Sequence, residues 1–493
     1  MAARRTGGAA TGRHIVTFRG QAPSDFAAQV EAKGGKVLWM SRGSGLAAVY
    51  GLSGPAAASF VGKRGIQSVD ADETLSLEMP KLGAVDAGEV AGVRSADDPA
   101  AAVRFARQWN MRAVQADAAW AHGFLGSPTV SIFMLDSGID YLHADLEGRV
   151  DLSRSTDLLG KFDTDVVTDK GDTITVSFSE ADTLKALCSQ FGGGWCRLPF
   201  TDLFFHGTHT GATVTSNAVR LAGITSKTTL VAVKVCGYIN ECPFSSILGG
   251  VIYAADNGAD VINLSLGGSF PKRGNRALIR LINQVFEYAR RKGVTIVVSA
   301  GNEATDLDHN GDTYASFCDT PAVICVSATG PTSDATGIPA TATSPPNPTP
   351  FSGPWTSVDA PAYFTNFGRR AIDLAAPGGN SSFGPDLPFP ASRDVFVWAA
   401  CSQTSLLVDC SASPIFILPA QGTSMAAPHV TGTAALLVSI LGRHPDQIKA
   451  RLEQSADKIG GTRLAAFYGN GRLNVARAVG AISQQHEGQQ SAR

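Results

Sequence analysis

Apolar and polar positions change period along the chain, and the changes divide it into two bodies. The first, residues 14–78, opens with the strand His14-Ile15-Val16-Thr17-Phe18. A helix follows, opened by Ser24 and closed by Gly34, with Phe26 and Val30 one turn apart. Strands at Lys36–Met40 and Gly45–Leu52 lead to an apolar helix, Ala56–Val61, and a last strand, Ile66–Val69. That order predicts a small α+β, ferredoxin-like domain. Residues 79–104, rich in Gly, Ala and Asp and without a period, read as a linker. From residue 129 strands alternate with helices: Thr129–Leu135, Thr229–Val235, Asp260–Leu266, Val294–Ser299 and Ala322–Ser327 are the strand candidates. The helix Ala277–Lys292 carries Leu278, Leu281, Val285 and Tyr288 on one face and stops at Gly293. The alternation predicts an α/β domain over 105–482, a parallel sheet with helices on both faces and its active groups at the carboxyl ends of strands. Residues 483–493 form a polar tail.

Composition adds limits. A chain of 493 residues, 44% hydrophobic and 17% charged, suffices for one large domain and a small one. A net charge of −2 gives no reason to expect nucleic acid or an anionic membrane as partner. The longest apolar run, after Ser424, is broken by Thr, His, Gly and Pro, so no segment reads as a membrane span. The cysteines fall into close pairs: Cys188 with Cys196, Cys236 with Cys242, Cys318 with Cys325, and Cys401 with Cys410. None has a CxxC spacing, and no matching histidine cluster points to zinc. Four local disulfides and an oxidising compartment are the simpler reading; buried free thiols remain the alternative. Met1-Ala-Ala-Arg-Arg-Thr-Gly-Gly is basic but lacks the apolar region of a secretory signal. A replaced signal or a truncated start is favoured over unusual export.

The chemistry concentrates in Gln421-Gly422-Thr423-Ser424-Met425-Ala426-Ala427-Pro428-His429-Val430. A small-residue turn presents one hydroxyl at the start of an apolar helix, where unpaired N–H groups favour developing negative charge. Pro428 cannot bond the Ser424 carbonyl four residues back. Alone, Ser424 would be a helix cap. The whole stretch, however, resembles the nucleophile motif of the subtilisin-like serine proteases, peptidase family S8, whose other triad members lie upstream in the order Asp, His, Ser.

Ser131-Ile132-Phe133-Met134-Leu135-Asp136-Ser137-Gly138-Ile139-Asp140 resembles the family's aspartate motif, and His206-Gly207-Thr208-His209 its histidine motif. The resemblance implies a subtilisin-like fold and a secreted endopeptidase, with Asp136 orienting His206, His206 as general base and Ser424 as nucleophile. Val297-Val298-Ser299-Ala300-Gly301-Asn302 implies Asn302 as oxyanion donor beside the Ser424 N–H. Asp140, Asp145, His209 and His429 are expected to be structural. Ser265-Leu266-Gly267-Gly268 resembles the substrate edge, where an extended peptide adds as a strand. With Ser299-Ala300-Gly301 it forms small, uncharged walls, which predict broad specificity leaning to apolar residues before the cut. Residues 14–78 resemble the family's inhibitory propeptide, with Asp72-Glu73-Thr74-Leu75-Ser76-Leu77 blocking the cleft and self-cleavage in 79–104. The expected partners are polypeptide substrates and this propeptide, the enzyme itself being a monomer.

Two inserts depart from the family's usual spacing, 151–202 and the Pro/Thr/Ser-rich 330–362, and a further loop, 379–415, holds Cys401 and Cys410 just before the serine. No cofactor is required for the chemistry. A structural calcium is weighed at Asp306, Asp308, Asn310 and Asp312, spaced like half an EF-hand loop but with Phe317 at the twelfth position, so a solvated loop is the equal alternative. The family's common calcium loop looks shortened at Ser216-Asn217-Ala218-Val219-Arg220, with Asp145 as one remaining ligand. An α/β-hydrolase esterase is disfavoured because the nucleophile turn lacks its second glycine and the partners precede the serine. A catalytically silent relative has no missing residue to support it.

Overall fold

The computed structural model describes residues 12–77, 79–83, 92–167, 173–331, 358–380, 395–459 and 461–482. Most of the 330–362 stretch, part of 379–415 and the polar tail lie outside these residues.

The N-terminal body is a four-stranded antiparallel sheet in the spatial order Lys36–Ser41, Leu46–Tyr50, Arg13–Phe18, Ile66–Ala71. The ferredoxin-like order holds. One sheet face buries Val16, Phe18 and Val49 against Phe26 and Val30 of the helix Phe26–Glu31. That helix starts two residues after Ser24 and has no side-chain cap. The second helix, Gly54–Ala58, starts earlier than its apolar residues suggest, because Ser53 accepts the Ala56 N–H and Pro55 fits the first turn. The opposite face sends Ile15 and Leu46 into the core of the larger domain.

That domain is built on a sheet ordered Ala360–Pro361, Ile324–Gly330, Thr295–Ser299, Val261–Leu264, Ser131–Asp136, Thr229–Lys234, Thr156–Asp157, with Leu374–Pro377 beside Ile324–Gly330. All pairs run parallel except Ala360–Pro361. Alternate residues of the central strand serve opposite cores. Ile132 and Met134 meet the helix Thr423–Leu441, whereas Phe133 and Leu135 meet the helices Phe244–Asp256 and Arg276–Arg291. Buried on both sides, these strands are apolar nearly throughout. Among the described residues one helix, Thr423–Leu441, is long and apolar enough to cross a membrane, but it is buried all round as the central helix of this domain.

The cysteines pair as their spacing suggests, Cys188 with Cys196, Cys236 with Cys242, Cys318 with Cys325 and Cys401 with Cys410, all as disulfides. No described cysteine is free, which removes the alternative of buried thiols. Cys325 lies in the buried strand Ile324–Gly330, so its bridge fastens the Cys318 loop to the sheet. Cys410, also buried, opens a short 3-10 turn and ties it back to Cys401, next to the strand Val397–Ala400.

The 151–202 stretch folds into a hairpin, Lys161–Val167 with Thr173–Ser179, and a helix, Glu180–Phe191, tied by Cys188–Cys196. An ion pair roots it in the sheet: Lys234 Nζ lies 2.5 Å from Glu180 Oε2, both side chains at most 1% exposed. Lys234 also donates to the Thr201 carbonyl. Burial pushes the Glu180 carboxyl up, and Lys234 opposes that shift.

Glu180→Ala would leave the Lys234 ammonium buried without this carboxylate. Denaturant unfolding is expected to show a loss of about 3–5 kcal/mol. A loss under about 1 kcal/mol would show the pair dispensable.

Candidate active site

Asp136 ends the central strand and is fully buried. Its Oδ1 lies 2.7 Å from His206 Nδ1 and accepts the Ser137 N–H, while Oδ2 accepts the Thr210 hydroxyl. His206 opens the helix His206–Val214. Gly207 follows it because a Cβ there would run into the Gly138 carbonyl of the aspartate turn. A second carboxylate fastens that turn to the helix. Asp202 Oδ1 accepts the Ser137 hydroxyl and the Phe204 and Phe205 N–H groups, and Oδ2 accepts the Thr208 N–H and hydroxyl. Burial pushes the Asp202 carboxyl up and the Thr208 donors pull it back. Phe205, whose N–H Asp202 holds, sits at φ 152°, a costly conformation for a non-glycine residue immediately before His206.

Ser424 lies in the first turn of the central helix, 7% exposed. Pro428 frees its carbonyl, and the Ser265 hydroxyl donates to that oxygen at 2.8 Å. In return the Ser424 hydroxyl donates to the Ser265 carbonyl at 2.9 Å. Asn263 supports the pair by donating to Ser265 Oγ and accepting from Thr431. The direct Ser424–His206 hydrogen bond is therefore not made here, and buried His206 Nε2 has no partner among the described residues.

Asn302 Oδ1 accepts the Thr423 N–H at 2.7 Å and the Thr423 hydroxyl at 3.1 Å, which orients its amide with Nδ2 as the donor edge. Asn366, 2% exposed, clamps the turn on both sides of Asn302. Its Nδ2 donates to the Ala300 carbonyl and to Glu303 Oε2, and its Oδ1 accepts the Glu303 and Thr305 N–H groups. Gly301, at φ 97°, leaves room for it; a Cβ would come within 2.5 Å of Asn366 Nδ2. Asp202 and Asn366 escape a reading of sequence because both act through space on segments far along the chain.

Ser265, Leu266, Gly267, Gly268, Ser299, Ala300 and Gly301 line one cavity with Asn302 and Ser424, and Leu77 reaches it too. Glu303 also borders it, a charged neighbour beside the small, uncharged walls named from the sequence. The chain itself runs along the edges of the cleft. Thr74–Ser76 pairs antiparallel with Glu241–Pro243, and Leu77 N–H donates to the Asn240 carbonyl at 2.7 Å. Beyond the serine, Lys81 and Leu82 pair with Gln421 and Ala420.

The other histidines are packed. His209 Nε2 faces the Val397 and Leu418 carbonyls, and burial pulls its pKa down to about 3. His429 Nδ1 donates to Met425 O while Nε2 accepts from Asn110; burial lowers it to about 4. Asp140 accepts from Leu142 and Gln403.

The calcium ligands do not converge. Asp306 accepts the Asp308 N–H and faces His309, Asp308 takes the Arg370 and Ala371 N–H groups, and Asp312 takes that of Arg273. Among the described residues no three His, Cys, Asp or Glu groups gather as a metal site, which leaves Asn310 without a carboxylate cluster to join. Asp145 accepts the Val219, Arg220 and Leu221 N–H groups, so donors rather than ligand oxygens point at it. Calcium does not fit these residues.

A sequence profile described as "Subtilase family" matches residues 127–471. The chain belongs to the subtilase family. The subtilase is 29% identical to thermitase of Thermoactinomyces vulgaris over 76% of this chain and 96% of that one. To a subtilisin of Bacillus pumilus it is 27% identical, over 74% and 96% respectively. In fold it is similar to an epidermin leader peptide processing serine protease of Staphylococcus aureus, with TM-score 0.64 and 19% identity, covering 96% of this chain and 99% of that one. It is also similar to fervidolysin of Fervidobacterium pennivorans, with TM-score 0.61 and 20% identity, covering 95% and 61%. Like its family, this subtilase is a serine endopeptidase, a hydrolase of peptide bonds.

Asn366→Ala should release the turn that carries Asn302. The expected result is kcat reduced about tenfold with KM little changed, and little further loss when it is added to Asn302→Ala. Fully additive losses would show that Asn366 does not act through Asn302.

Proposed function

We propose that this subtilase is secreted and self-processing, that it cuts polypeptides with Asp136, His206 and Ser424, and that residues 14–78 are its inhibitor. The buried Asp136–His206 pair beside Ser424 and Asn302 carries the catalytic part. The Ser424 hydroxyl turns from the Ser265 carbonyl to His206 Nε2, gives up its proton and attacks the peptide carbonyl. Asp136 holds the Nδ1–H tautomer, and His206 then protonates the leaving amine. Asn302 Nδ2 and the Ser424 N–H receive the oxyanion. Losing the Asn302 donor would raise the barrier by about 2.7–4 kcal/mol, a magnitude carried over from a subtilisin.

The zymogen reading rests on the strand pairings that flank the serine, which treat the chain as a bound peptide. The cut then falls between Leu77 and Lys81, at the very start of the 79–104 linker. Four disulfides support an oxidising, extracellular destination. Leu77 at the cavity supports an apolar preference, with the Glu303 carboxylate occupied by Asn366. A peptide library with a strict demand for Arg or Lys before the cut would overturn that preference.

Purified parent enzyme should react with a phosphonate serine probe and expose a new N-terminus between residues 78 and 81. Ser424→Ala should do neither; probe labelling that survives the substitution would sink the assignment. Because His209 and His429 are lowered to about 3 and about 4, both rings stay neutral above those values. The acid limb of kcat/KM, over about pH 5–8, should therefore have the slope of a single proton, with none taken up by His209 or His429. A two-proton slope would mean that a second histidine participates.

A further inference from the structure

Lys81 and Leu82 lie beside the strand Ile417–Gln421, which runs straight into the turn that carries Ser424. The pairing is antiparallel, Lys81 with Gln421 and Leu82 with Ala420, and the Gly83 N–H donates to the Pro419 carbonyl at 2.9 Å. Main-chain pairing of this kind admits many sequences, so any preference has to come from side chains. Here the two side chains part to opposite faces. Leu82 packs against the buried cluster of Trp109, Val397 and Met425. The Lys81 ammonium donates to the Tyr363 hydroxyl and stands 4.7 Å from the centre of that ring. A slip of one residue would send the lysine toward Trp109, so Leu82 fixes the register in which Lys81 meets Tyr363.

Tyr363 is held ready for such a visitor. Its N–H donates to Asn380 Oδ1 at 3.1 Å, and its ring meets that of Phe364 edge-on at 5.3 Å. Gln421 Nε2 reaches its hydroxyl at 3.5 Å. The side chain is 44% exposed, so the phenol stands out from a fixed base. Tyr363, Phe364, Gln421 and Gly422 line a cavity with Asn302, and Asn302 also borders the cavity at Ser424. The two cavities therefore meet at the oxyanion donor, one on each side of the bond to be cut. A phenol oxygen that accepts from an ammonium has nothing to accept from an aliphatic chain of the same length.

We propose that Tyr363 is a specificity residue on the side after the cut, favouring polypeptides whose lysine pairs with Gln421. The proposal rests on the zymogen reading above, because Lys81 and Leu82 stand in for the residues of a substrate beyond its cut. Binding there is independent of the apolar preference before the cut, which belongs to the other cavity.

Two quenched peptides with the sequence of residues 72–86, one with lysine at position 81 and one with norleucine, would be given to the processed parent and to Tyr363→Phe. The cut bond and kcat/KM would be read for each. In the parent, the lysine peptide should be cut between Leu77 and Lys81, with kcat/KM about fivefold above that of the norleucine peptide. In Tyr363→Phe, which removes one oxygen from an exposed side chain, that ratio should fall to about one. A ratio near one in the parent, or a ratio that survives loss of the hydroxyl, would overturn the Tyr363 subsite alone. A lysine peptide left uncut, or cut elsewhere, by enzyme that hydrolyses unrelated peptides would overturn the zymogen reading and the subsite with it.

Discussion

Ser424 and Ser265 exchange hydrogen bonds in both directions, carbonyl to hydroxyl each way, and the active site hangs from that exchange. Pro428 creates the need. Without a proline N–H, the first turn of the central helix has a spare carbonyl, and a spare carbonyl in a closed interior must find a donor. Ser265 supplies it from the end of a sheet strand whose next residues form the wall of the cleft. The height of Ser424 above the sheet and the position of the cavity wall that starts at Ser265 are thus one constraint. Asn263 and Thr431 close the network behind it, so the hydroxyls of that chain of four all find acceptors.

Two carboxylates do comparable work on the histidine side. Asp136 and Asp202 are both buried, and a buried carboxylate is tolerable only when donors surround it. Asp202 collects five, from the aspartate turn and the start of the histidine helix. Those donors fix two separate segments in one frame, and His206 is presented to Asp136 by that frame. The strained backbone at Phe205 is held by the same bonds.

What could be read from sequence was local. The apolar run ending at Asp136, the start of the helix at His206 and the turn before Ser424 are patterns within a few residues. Close spacing likewise matched each cysteine to its neighbour, Cys318 to Cys325 and Cys401 to Cys410 among them. Boundaries slipped where a cap decided them, as at Ser53, which begins a helix before its apolar residues do. Asp202 and Asn366 were not legible because their partners come from segments brought near only by the sheet. The Asp306–Asp312 loop stayed open between a cation site and a solvated loop for the same reason. Its oxygen spacing suits a cation, but spacing does not reveal that Arg370 and Ala371 arrive with N–H groups to take Asp308.

The Cys236–Cys242 bridge closes a small ring around the edge on which Ser76 and Leu77 lie, at Asn240 and Glu241. A ring of that size holds its main-chain groups in line before any visitor arrives, so an incoming peptide has only its own slack to lose. Opening the ring would loosen the Asn240–Glu241 edge against which Ser76 and Leu77 lie.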